Sequence, residues 1–443
     1  MPEGVGLVAS ANNVVSYFVT LAPLGIPAYG LREIAKLRNS KDSRDILFSE
    51  LFILNAVSSL VFLFLYLLCY PILFAGQCDP ALYFVFASLV FMNCFNVDWF
   101  YQGKEEYVYI ALRSIGVKLA SLALVLIFVR SSSDIVPYAV ILCFATAGNY
   151  LFNIARLRKY VRFRFRGINP LRHMKAVVIL AGTVVLFSIY TKISVTLLGT
   201  FCDSENVGYY SNAYSAANIV LALCNAVTGV FFPRFSYEFE HDRSRFDSLV
   251  TQAVSVNLLV SLPLAIGVFL VAPDAIVLLF GSSFAPAATV LRVFSLLIIF
   301  KCLGNVVYQV CISTRKEKGQ LLSYAAGAIA CFIGNIALIP LLGEAGAAAA
   351  TVFAELIVDV VLVVYLGDCF KLRLDPKFLL SLAGALVAMV GVVLICYWFI
   401  ESLLIRLLFA FFLGGGAFVA VSLFTGNSLI SAILGKVKNR IRA

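Results

Sequence analysis

Long apolar runs, separated by short polar segments, recur along the whole chain. Each run has roughly 20 residues or more, the length that a helix needs to cross the hydrocarbon core of a bilayer. The runs are continuously apolar and do not alternate, so they predict helices and not the strands of a membrane barrel. About thirteen such runs lie near residues 6–27, 46–74, 81–100, 108–129, 136–155, 176–201, 208–232, 249–272, 287–310, 320–342, 345–366, 378–400 and 403–425.

The composition agrees with this pattern. Of the 443 residues, 62% are hydrophobic and 13% are charged, and the mean hydropathy is +0.97. A soluble domain is about half apolar and about a quarter charged. The predicted fold class is therefore an all-α integral membrane protein, and a soluble globular domain is excluded.

The positive charge of the chain is concentrated in particular loops between the runs. The net charge is +10, and most of the 34 Lys and Arg residues fall in every second loop and in the C-terminal tail. These basic segments include 32–44, 156–175, 315–318 and 436–442, whereas the opposite side holds Arg130 and Arg406. Because basic loops stay on the cytoplasmic side, the asymmetry predicts an outer N-terminus and a cytoplasmic C-terminus. Membrane topology thus explains the charge, and we expect no nucleic acid partner.

Few side chains are available for a metal or cofactor site. The 11 Cys residues occur singly within apolar runs without a Cys-x-x-Cys pair, and the chain has 2 His residues. Single buried cysteines behave as small apolar residues. We therefore expect no metal site, no disulfide framework and no cofactor.

An internal repeat divides the chain. Pro27 matches Pro233, and Tyr101-Gln102 matches Tyr308-Gln309, at a nearly constant offset of about 206 residues. The offset contains an even number of spans, so it predicts two parallel, pseudo-symmetric lobes related by an axis along the membrane normal. The predicted organisation is an N-lobe of five spans (1–155), a basic amphipathic connector (156–175), a C-lobe of six spans (176–366), and two additional spans with a basic tail (367–443). The C-lobe opens with a span that has no N-lobe counterpart, so a first helix is expected to be missing.

Several stretches of the sequence resemble one family of membrane transporters. The two most specific are Tyr29-Gly30-Leu31-Arg32-Glu33-Ile34-Ala35 and Trp99-Phe100-Tyr101-Gln102-Gly103, and weaker ones lie at 2–6, 48–51, 110–114, 207–210 and 232–236. They are similar to the Wzx-type flippases of O-antigen and capsule repeat units, within the multidrug/oligosaccharidyl-lipid/polysaccharide exporter superfamily. The resemblance implies two six-helix lobes around a lumen, two extra C-terminal helices, and transport without an enzymatic reaction. In this family a first helix usually precedes the Pro-Glu-Gly motif.

Five basic residues lie inside the predicted spans: Arg113, Lys118, Lys192, Arg292 and Lys301. A charge at bilayer depth costs about 2.5–3.5 kcal/mol on insertion scales, so it persists mainly beside water or a partner. We interpret Arg113, Lys118, Lys192 and Lys301 as candidate substrate-binding residues of a cationic lumen, because Arg and Lys attract phosphate. Snorkelling, or pairing with a neighbouring helix, is the alternative. Arg292 lies near the outer end of its span and is interpreted as an interfacial anchor.

Three further charged residues have two open interpretations each. Glu355 and Asp359 are four residues apart and share one helix face. They are expected either to pair with Lys301 or Lys192, or to bind a coupling cation. Arg32 lies at a cytoplasmic helix end, and it is either an anchor that pairs locally with Glu33 or a gate residue that binds substrate near the lipid headgroups.

These observations lead to one functional hypothesis and two rivals. The hypothesis is a flippase that moves undecaprenyl-diphosphate-linked oligosaccharide repeat units across the bacterial inner membrane by alternating access. Its expected partners are this substrate, membrane lipids, and a polysaccharide polymerase with a chain-length regulator. A drug or cation antiporter of the same superfamily would place carboxylates in the lumen, but the spans carry more basic residues. A membrane glycan polymerase or ligase would need a large outer loop with catalytic groups, and the outer loops are short.

Overall fold

The computed structural model describes residues 2–37, 40–69, 80–131, 134–164, 167–229 and 231–426. These residues form helices joined by short turns, which confirms the all-α fold class. The helices are α1 (Pro2–Leu21), α2 (Ile26–Lys36), α3 (Lys41–Cys69), α4 (Pro80–Met92), α5 (Asp98–Gly103), α6 (Tyr107–Phe128), α7 (Ile135–Leu157), α8 (Met174–Phe201), α9 (Ser204–Gly229), α10 (Phe232–His241), α11 (Arg243–Phe280), α12 (Ala287–Ser313), α13 (Glu317–Leu366), α14 (Pro376–Phe399) and α15 (Leu403–Phe424). The basic tail at 436–442 and the end of the predicted span 46–74 lie outside the described residues.

Eleven helical segments in the described part of the chain are long and apolar enough to cross a membrane. Two helices account for the difference from the thirteen spans expected. α9 covers most of the predicted span 208–232, but its many Ser and Asn residues lower its hydropathy. α13 is 50 residues long and contains two predicted spans, 320–342 and 345–366. The chain is therefore a multi-pass membrane protein, as its sequence predicts.

α13 is a hairpin of two antiparallel arms. A straight helix of its 50 residues would be about 75 Å long, more than twice the thickness of the hydrocarbon core. Gly343 interrupts it with φ 55° and ψ −131°, a backbone conformation that a residue with a Cβ rarely adopts. On the two sides of this turn, Gly334 faces Ala350 and Gly319 faces Tyr365. The two predicted spans correspond to these arms.

The span predicted at 81–100 is a broken helix. α4 ends at Met92, a 3-10 turn covers Asn93–Phe95, and α5 begins at Asp98. The break frees the carbonyl oxygens of Asn93 and Cys94, which accept hydrogen bonds from Asn55 Nδ2 of α3 at 2.8 Å and 3.2 Å. The buried side-chain amide of Asn55 thus takes the place of backbone N–H groups that would donate these hydrogen bonds in a continuous helix. A replacement is needed because the bilayer core has no water to supply them. The sequence pattern alone did not predict this break.

Residues Met1–Gly208 form one compact unit. One core cluster joins α1, α3, α4 and α7 around Tyr66 and Phe86, and a second joins α2, α3 and α5 around Phe48 and Trp99. α8 packs against α1 and α2 of this unit, although the repeat assigns residues 176–201 to the C-lobe. The boundary of packing therefore lies near Gly208 and not within the connector. This packing does not test the N-lobe and C-lobe boundaries that the internal repeat predicts, and those boundaries remain a prediction.

Residues Tyr209–Ala443 form the second compact unit. α11 packs against α12, and α12 packs against α13. α14 and α15 pair with each other and rest on α11, where Leu259 and Met389 belong to one buried cluster. Arg406 Nε on α15 lies 2.6 Å from Asp274 Oδ2 on α11. The two additional C-terminal spans are thereby fixed to α11 by apolar packing and by an ion pair.

The basic segments of each unit gather at one end of that unit. In the first unit, Arg44 Nη2 donates a hydrogen bond to the Tyr160 carbonyl at 3.1 Å, which joins segments 32–44 and 156–175. In the second unit, Arg243 Nη2 donates to the Asp368 carbonyl at 2.6 Å, and Lys316 Nζ donates to the Leu366 carbonyl at 3.0 Å. Loops assigned to the cytoplasmic side therefore share one end of their unit, in agreement with the charge asymmetry.

Both units contain the same two local features. The matched prolines Pro27 and Pro233 each lie in the first turn of a short helix, α2 or α10. Such a position suits proline because its missing N–H would have no helical partner there. α5 and α12 end in the same turn, in which Glu106 N donates to the Tyr101 carbonyl and Lys316 N to the Cys311 carbonyl, each at 3.0 Å.

Candidate functional site

Arg113 lies in the second turn of α6 within a closed polar cluster. Its side chain is 4% exposed, and its Nη1 donates to Asp98 Oδ1 at 2.9 Å and to Asn153 Oδ1. Asn153 Nδ2 also donates to Asp98, and Tyr101 OH donates to the Asn153 carbonyl at 2.8 Å. The cluster joins α5, α6 and α7. This geometry favours the interpretation of Arg113 as a partner of neighbouring helices, and its role in a lumen remains a prediction.

Lys118 has a different environment from Arg113. Its side chain is exposed on α6, on the same face as the exposed Ile115 and Leu122. No hydrogen bond or ion pair of this side chain occurs among the residues that the structure describes. The structure therefore places Lys118 as an uncompensated charge on an apolar helix surface, where snorkelling or a hydrated passage remain the two interpretations.

Lys192 of α8 is bound by neutral groups of α1. Its Nζ donates to the Ser16 carbonyl and to Thr20 Oγ1, both at 2.6 Å, and lies 5.5 Å from the centre of the Tyr17 ring. One turn further along α8, Thr196 Oγ1 lies 2.8 Å from Tyr17 OH. The ammonium group is thus hydrogen-bonded but has no carboxylate partner within the described ranges. Among the described residues, its positive charge is therefore not neutralised.

Lys301 and Glu355 form a largely buried ion pair between α12 and α13. Lys301 Nζ lies 2.8 Å from Glu355 Oε2, and the two side chains are 24% and 9% exposed. The predicted pairing of Glu355 with Lys301 is therefore present. Asp359 lies one turn further along α13, and a Cβ on Gly304 would lie 2.1 Å from its Oδ1. Its carboxyl group thus lies against the backbone of α12, one turn from the pair.

Arg32 lies on the surface of α2. Its side chain is 57% exposed, and its Nε lies 3.0 Å from Glu33 Oε1. The predicted local ion pair is present. The alternative role of Arg32 as a gate that binds substrate remains a prediction.

A cluster around Glu50 was not predicted from the sequence. This carboxylate is 1% exposed and accepts hydrogen bonds from Asn169 N at 2.8 Å and from Arg172 Nε at 3.1 Å. His173 Nε2 lies 2.8 Å away, and its Nδ1 lies 2.8 Å from Tyr29 OH. An acidic residue inside the apolar run 46–74 was the available signal, because such a charge requires partners.

The connector at 156–175 packs on the protein through this cluster. Arg164 N donates to Ser49 Oγ at 2.9 Å, and the Phe163 ring lies 5.6 Å and 5.2 Å from the rings of Phe48 and Phe52. The described residues of the predicted basic amphipathic connector are thus attached to α3 by a hydrogen bond and by aromatic contacts.

Two polar cavities in the second unit were also missed. One has a volume of about 890 Å³ and is lined by Arg243, Ser244, Asp247, Ser248, Thr251, Gln252, Ser255, Lys371 and Arg373. The other has a volume of about 370 Å³ and is lined by Arg234, Glu238, Arg245, Ser248, Leu249 and Gln252. Both lie at the end of the unit that the charge pattern assigns to the cytoplasm. Among the described residues, no group of three or more His, Cys, Asp or Glu side chains is arranged to hold a metal ion.

The fold is similar to that of solved transporters. "Lipid II flippase MurJ, inward closed conformation" matches with a TM-score of 0.71 and 13% identity, over 97% of this chain and 98% of that chain. An inward-facing "multidrug resistance MATE family transporter of the MOP superfamily" matches with a TM-score of 0.63 and 14% identity, over 82% of this chain and 92% of that chain. At these identities the similarity establishes the two-lobed fold alone.

Relatives with similar sequences are described as carriers of glycans. The "Putative O-antigen transporter" of Escherichia coli (strain K12) is 24% identical over 83% of this chain and 89% of its own length. The "Probable low-salt glycan biosynthesis flippase Agl15" of Haloferax volcanii is 21% identical over 42% of this chain and 39% of its own length. The family model described as "Polysaccharide biosynthesis protein" matches residues 1–239, more than half of the chain. The resemblance seen in the sequence is therefore confirmed, and the chain belongs to the polysaccharide biosynthesis protein family.

Proposed function

We propose that this protein flips undecaprenyl-diphosphate-linked oligosaccharide repeat units across the bacterial inner membrane. The observation that carries the proposal is the similarity to the O-antigen transporter of Escherichia coli, which extends over 83% of this chain. The multi-pass helical fold agrees with it, because a lipid-linked glycan must cross the hydrocarbon core without exposing its sugars to lipid. No covalent bond of the substrate changes, so the protein acts as a transporter.

The proposed passage for the glycan is hydrated and carries positive charge. Of the candidate residues, Lys118 and Lys192 best fit this role, because no carboxylate neutralises either of them among the described residues. Arg113 and Lys301 are engaged by Asp98 and Glu355, so we assign them to helix packing within their units. The polyprenyl tail would remain in lipid while the lobes alternate between inward-open and outward-open states.

The acidic pair on α13 is the proposed point of coupling to an ion gradient. Glu355 already shares its charge with Lys301, whereas Asp359 makes no ion pair in the part of the chain that the structure describes. Reversible binding of a proton or Na⁺ at Asp359 is the proposed coupling step. On the outer side, a polysaccharide polymerase and a chain-length regulator are the proposed recipients of the flipped repeat unit.

The proposal is tested by surface polysaccharide display in a strain from which this gene has been deleted. Deletion should abolish the polysaccharide, and the wild-type gene should restore it. The double variant Lys118→Gln with Lys192→Gln should restore much less at equal protein level, because the passage loses two positive charges. The matched control is Arg158→Gln with Lys159→Gln, which removes two exposed charges from the connector and should restore display.

Two results would count against these assignments. Normal display in the deletion strain would contradict the flippase function itself. Full restoration by the Lys118→Gln, Lys192→Gln variant would leave the flippase function standing and would contradict the cationic passage.

A further inference from the structure

α11 extends beyond the membrane at its N-terminal end. The helix has 38 residues and is therefore about 57 Å long, whereas the hydrocarbon core is about 30 Å thick. Its first thirteen residues carry a polar face formed by Ser244, Asp247, Ser248, Thr251 and Ser255, which recur at helical spacing. Beyond Ser255 the helix is mainly apolar, so this polar face lies at the boundary between the cytoplasm and the bilayer.

The segment after α13 lines the larger cavity beside this polar face. Arg373 N donates a hydrogen bond to Thr251 Oγ1 at 3.3 Å, and Arg243 Nη2 donates to the Asp368 carbonyl at 2.6 Å. These bonds hold residues 368–373 beside α11. The smaller cavity adjoins the larger one and shares Ser248 and Gln252 with it.

Several polar groups of the cavity remain available for a ligand. The side chains of Arg373, Gln252 and Ser248 have no hydrogen-bond or ion-pair partner among the residues described. Asp247 Oδ1 makes no hydrogen bond but forms an ion pair with Arg243 Nε at 3.4 Å. The hydrogen-bonding groups of Arg373, Gln252 and Ser248 are therefore the ones available to a ligand.

The charge and the chemistry of the lining indicate what that ligand is. The larger cavity has three basic side chains and one carboxylate. Arg243 pairs with Asp247, and Lys371 Nζ lies 3.8 Å from Asp368 Oδ1, so the charge of Arg373 is the one that suits a diphosphate. Arg binds phosphate oxygens through paired hydrogen bonds. The hydroxyl and amide groups suit the hydroxyl groups of sugars. The volume of about 890 Å³ falls within the range of ligand-binding pockets.

We propose that this cavity is a cytoplasmic loading site for the diphosphate and the first sugars of the lipid-linked substrate. This inference rests on the proposed flippase function. Arg373 binds the diphosphate, and Gln252 and Ser248 bind sugar hydroxyl groups. Because the site lies where α11 enters the bilayer, the polyprenyl tail stays in the inner leaflet while the headgroup is bound. The substrate is therefore selected before it enters the passage between leaflets.

The site is tested by binding to the purified full chain in nanodiscs of phosphatidylcholine. The probe is farnesyl diphosphate, a short prenyl diphosphate, followed by thermophoresis with inorganic diphosphate as competitor. Arg373→Gln should weaken binding about tenfold, since a hydrogen bond to a charged group is lost. Lys377→Gln is the matched control, because Lys377 is exposed nearby but does not line either cavity, and its binding should equal that of the wild type.

Equal binding by Arg373→Gln and the wild type would overturn the site. If nanodiscs containing phosphatidylglycerol abolish probe binding, the cavity binds a bulk lipid headgroup, and its assignment to the substrate is wrong. Polysaccharide display in the deletion strain distinguishes failure of the loading site from failure of the flippase function. Full display with Arg373→Gln would reject the loading site alone, whereas failure of the wild-type gene to restore display would reject the flippase function.

Discussion

Replacing Lys301 with methionine is expected to lower the free energy of unfolding by about 3–5 kcal/mol, because it leaves Glu355 buried without its counter-charge. The change should appear as a lower thermal midpoint and a lower folded yield in size-exclusion chromatography of the detergent-solubilised protein. Replacing both Lys301 and Glu355 with methionine should restore much of the loss, since neither charge then remains.

Lys118→Met provides a matched control for this result. It makes the same substitution inside a span, but the Lys118 side chain is exposed and makes no ion pair in the described part of the chain. Its midpoint should change little, in the range of about 0.5 kcal/mol that is usual for surface positions. A loss with Lys118→Met as large as that with Lys301→Met would show that the Lys301–Glu355 pair is not the cause.

Replacing Arg113 with methionine is expected to destabilise the first unit by about 2–3 kcal/mol. The guanidinium group holds Asp98 and Asn153 together across three helices, and its removal leaves both without their main donor. The expected loss is smaller than at Lys301 because the Asp98 side chain is 32% exposed and can be rehydrated. Thermal midpoints of Arg113→Met, Asp98→Asn and the double variant form the cycle that measures the coupling.

The same cycle of variants distinguishes a role of Arg113 in helix packing from a role in substrate binding. If Arg113 acts in packing, Arg113→Met should lose stability and transport together, and adding Asp98→Asn should recover part of both. If Arg113 binds substrate, the single variant would keep a normal midpoint and lose polysaccharide display. That second outcome would assign Arg113 to substrate binding in the cationic passage.

The apolar runs predicted most of the fold because the bilayer constrains them strongly. A helix that crosses about 30 Å of hydrocarbon needs one long apolar run, and each run corresponds to a helix or to an arm of a helical hairpin. The pattern could not predict the break at Asn93–Phe95, because it depends on Asn55 from another helix. It also could not predict that α8 packs on α1. The spacing of a repeat shows which segments of the sequence are related, but not which helices are in contact.

Charged residues were found by the same argument, but their roles depend on partners that the sequence does not place. Lys301 and Glu355 are 54 positions apart and meet only because α12 and α13 pack side by side. Glu50 was visible as an acid in an apolar run, yet its partners come from the connector, more than a hundred residues away. The larger cavity of the second unit was not predicted, because its basic residues lie in loops whose charge membrane topology already explains.

Movement of a lipid-linked glycan by the purified protein is the decisive observation for the proposed function. The full chain is reconstituted into liposomes with undecaprenyl-diphosphate-linked oligosaccharide labelled on its glycan, and a proton or Na⁺ gradient is imposed. A membrane-impermeant quencher then reports how much glycan reaches the outer leaflet. We predict that the quenched fraction rises with time beyond the share initially in the outer leaflet. A quenched fraction that stays equal to that of protein-free liposomes, with folded protein present, would contradict the proposal.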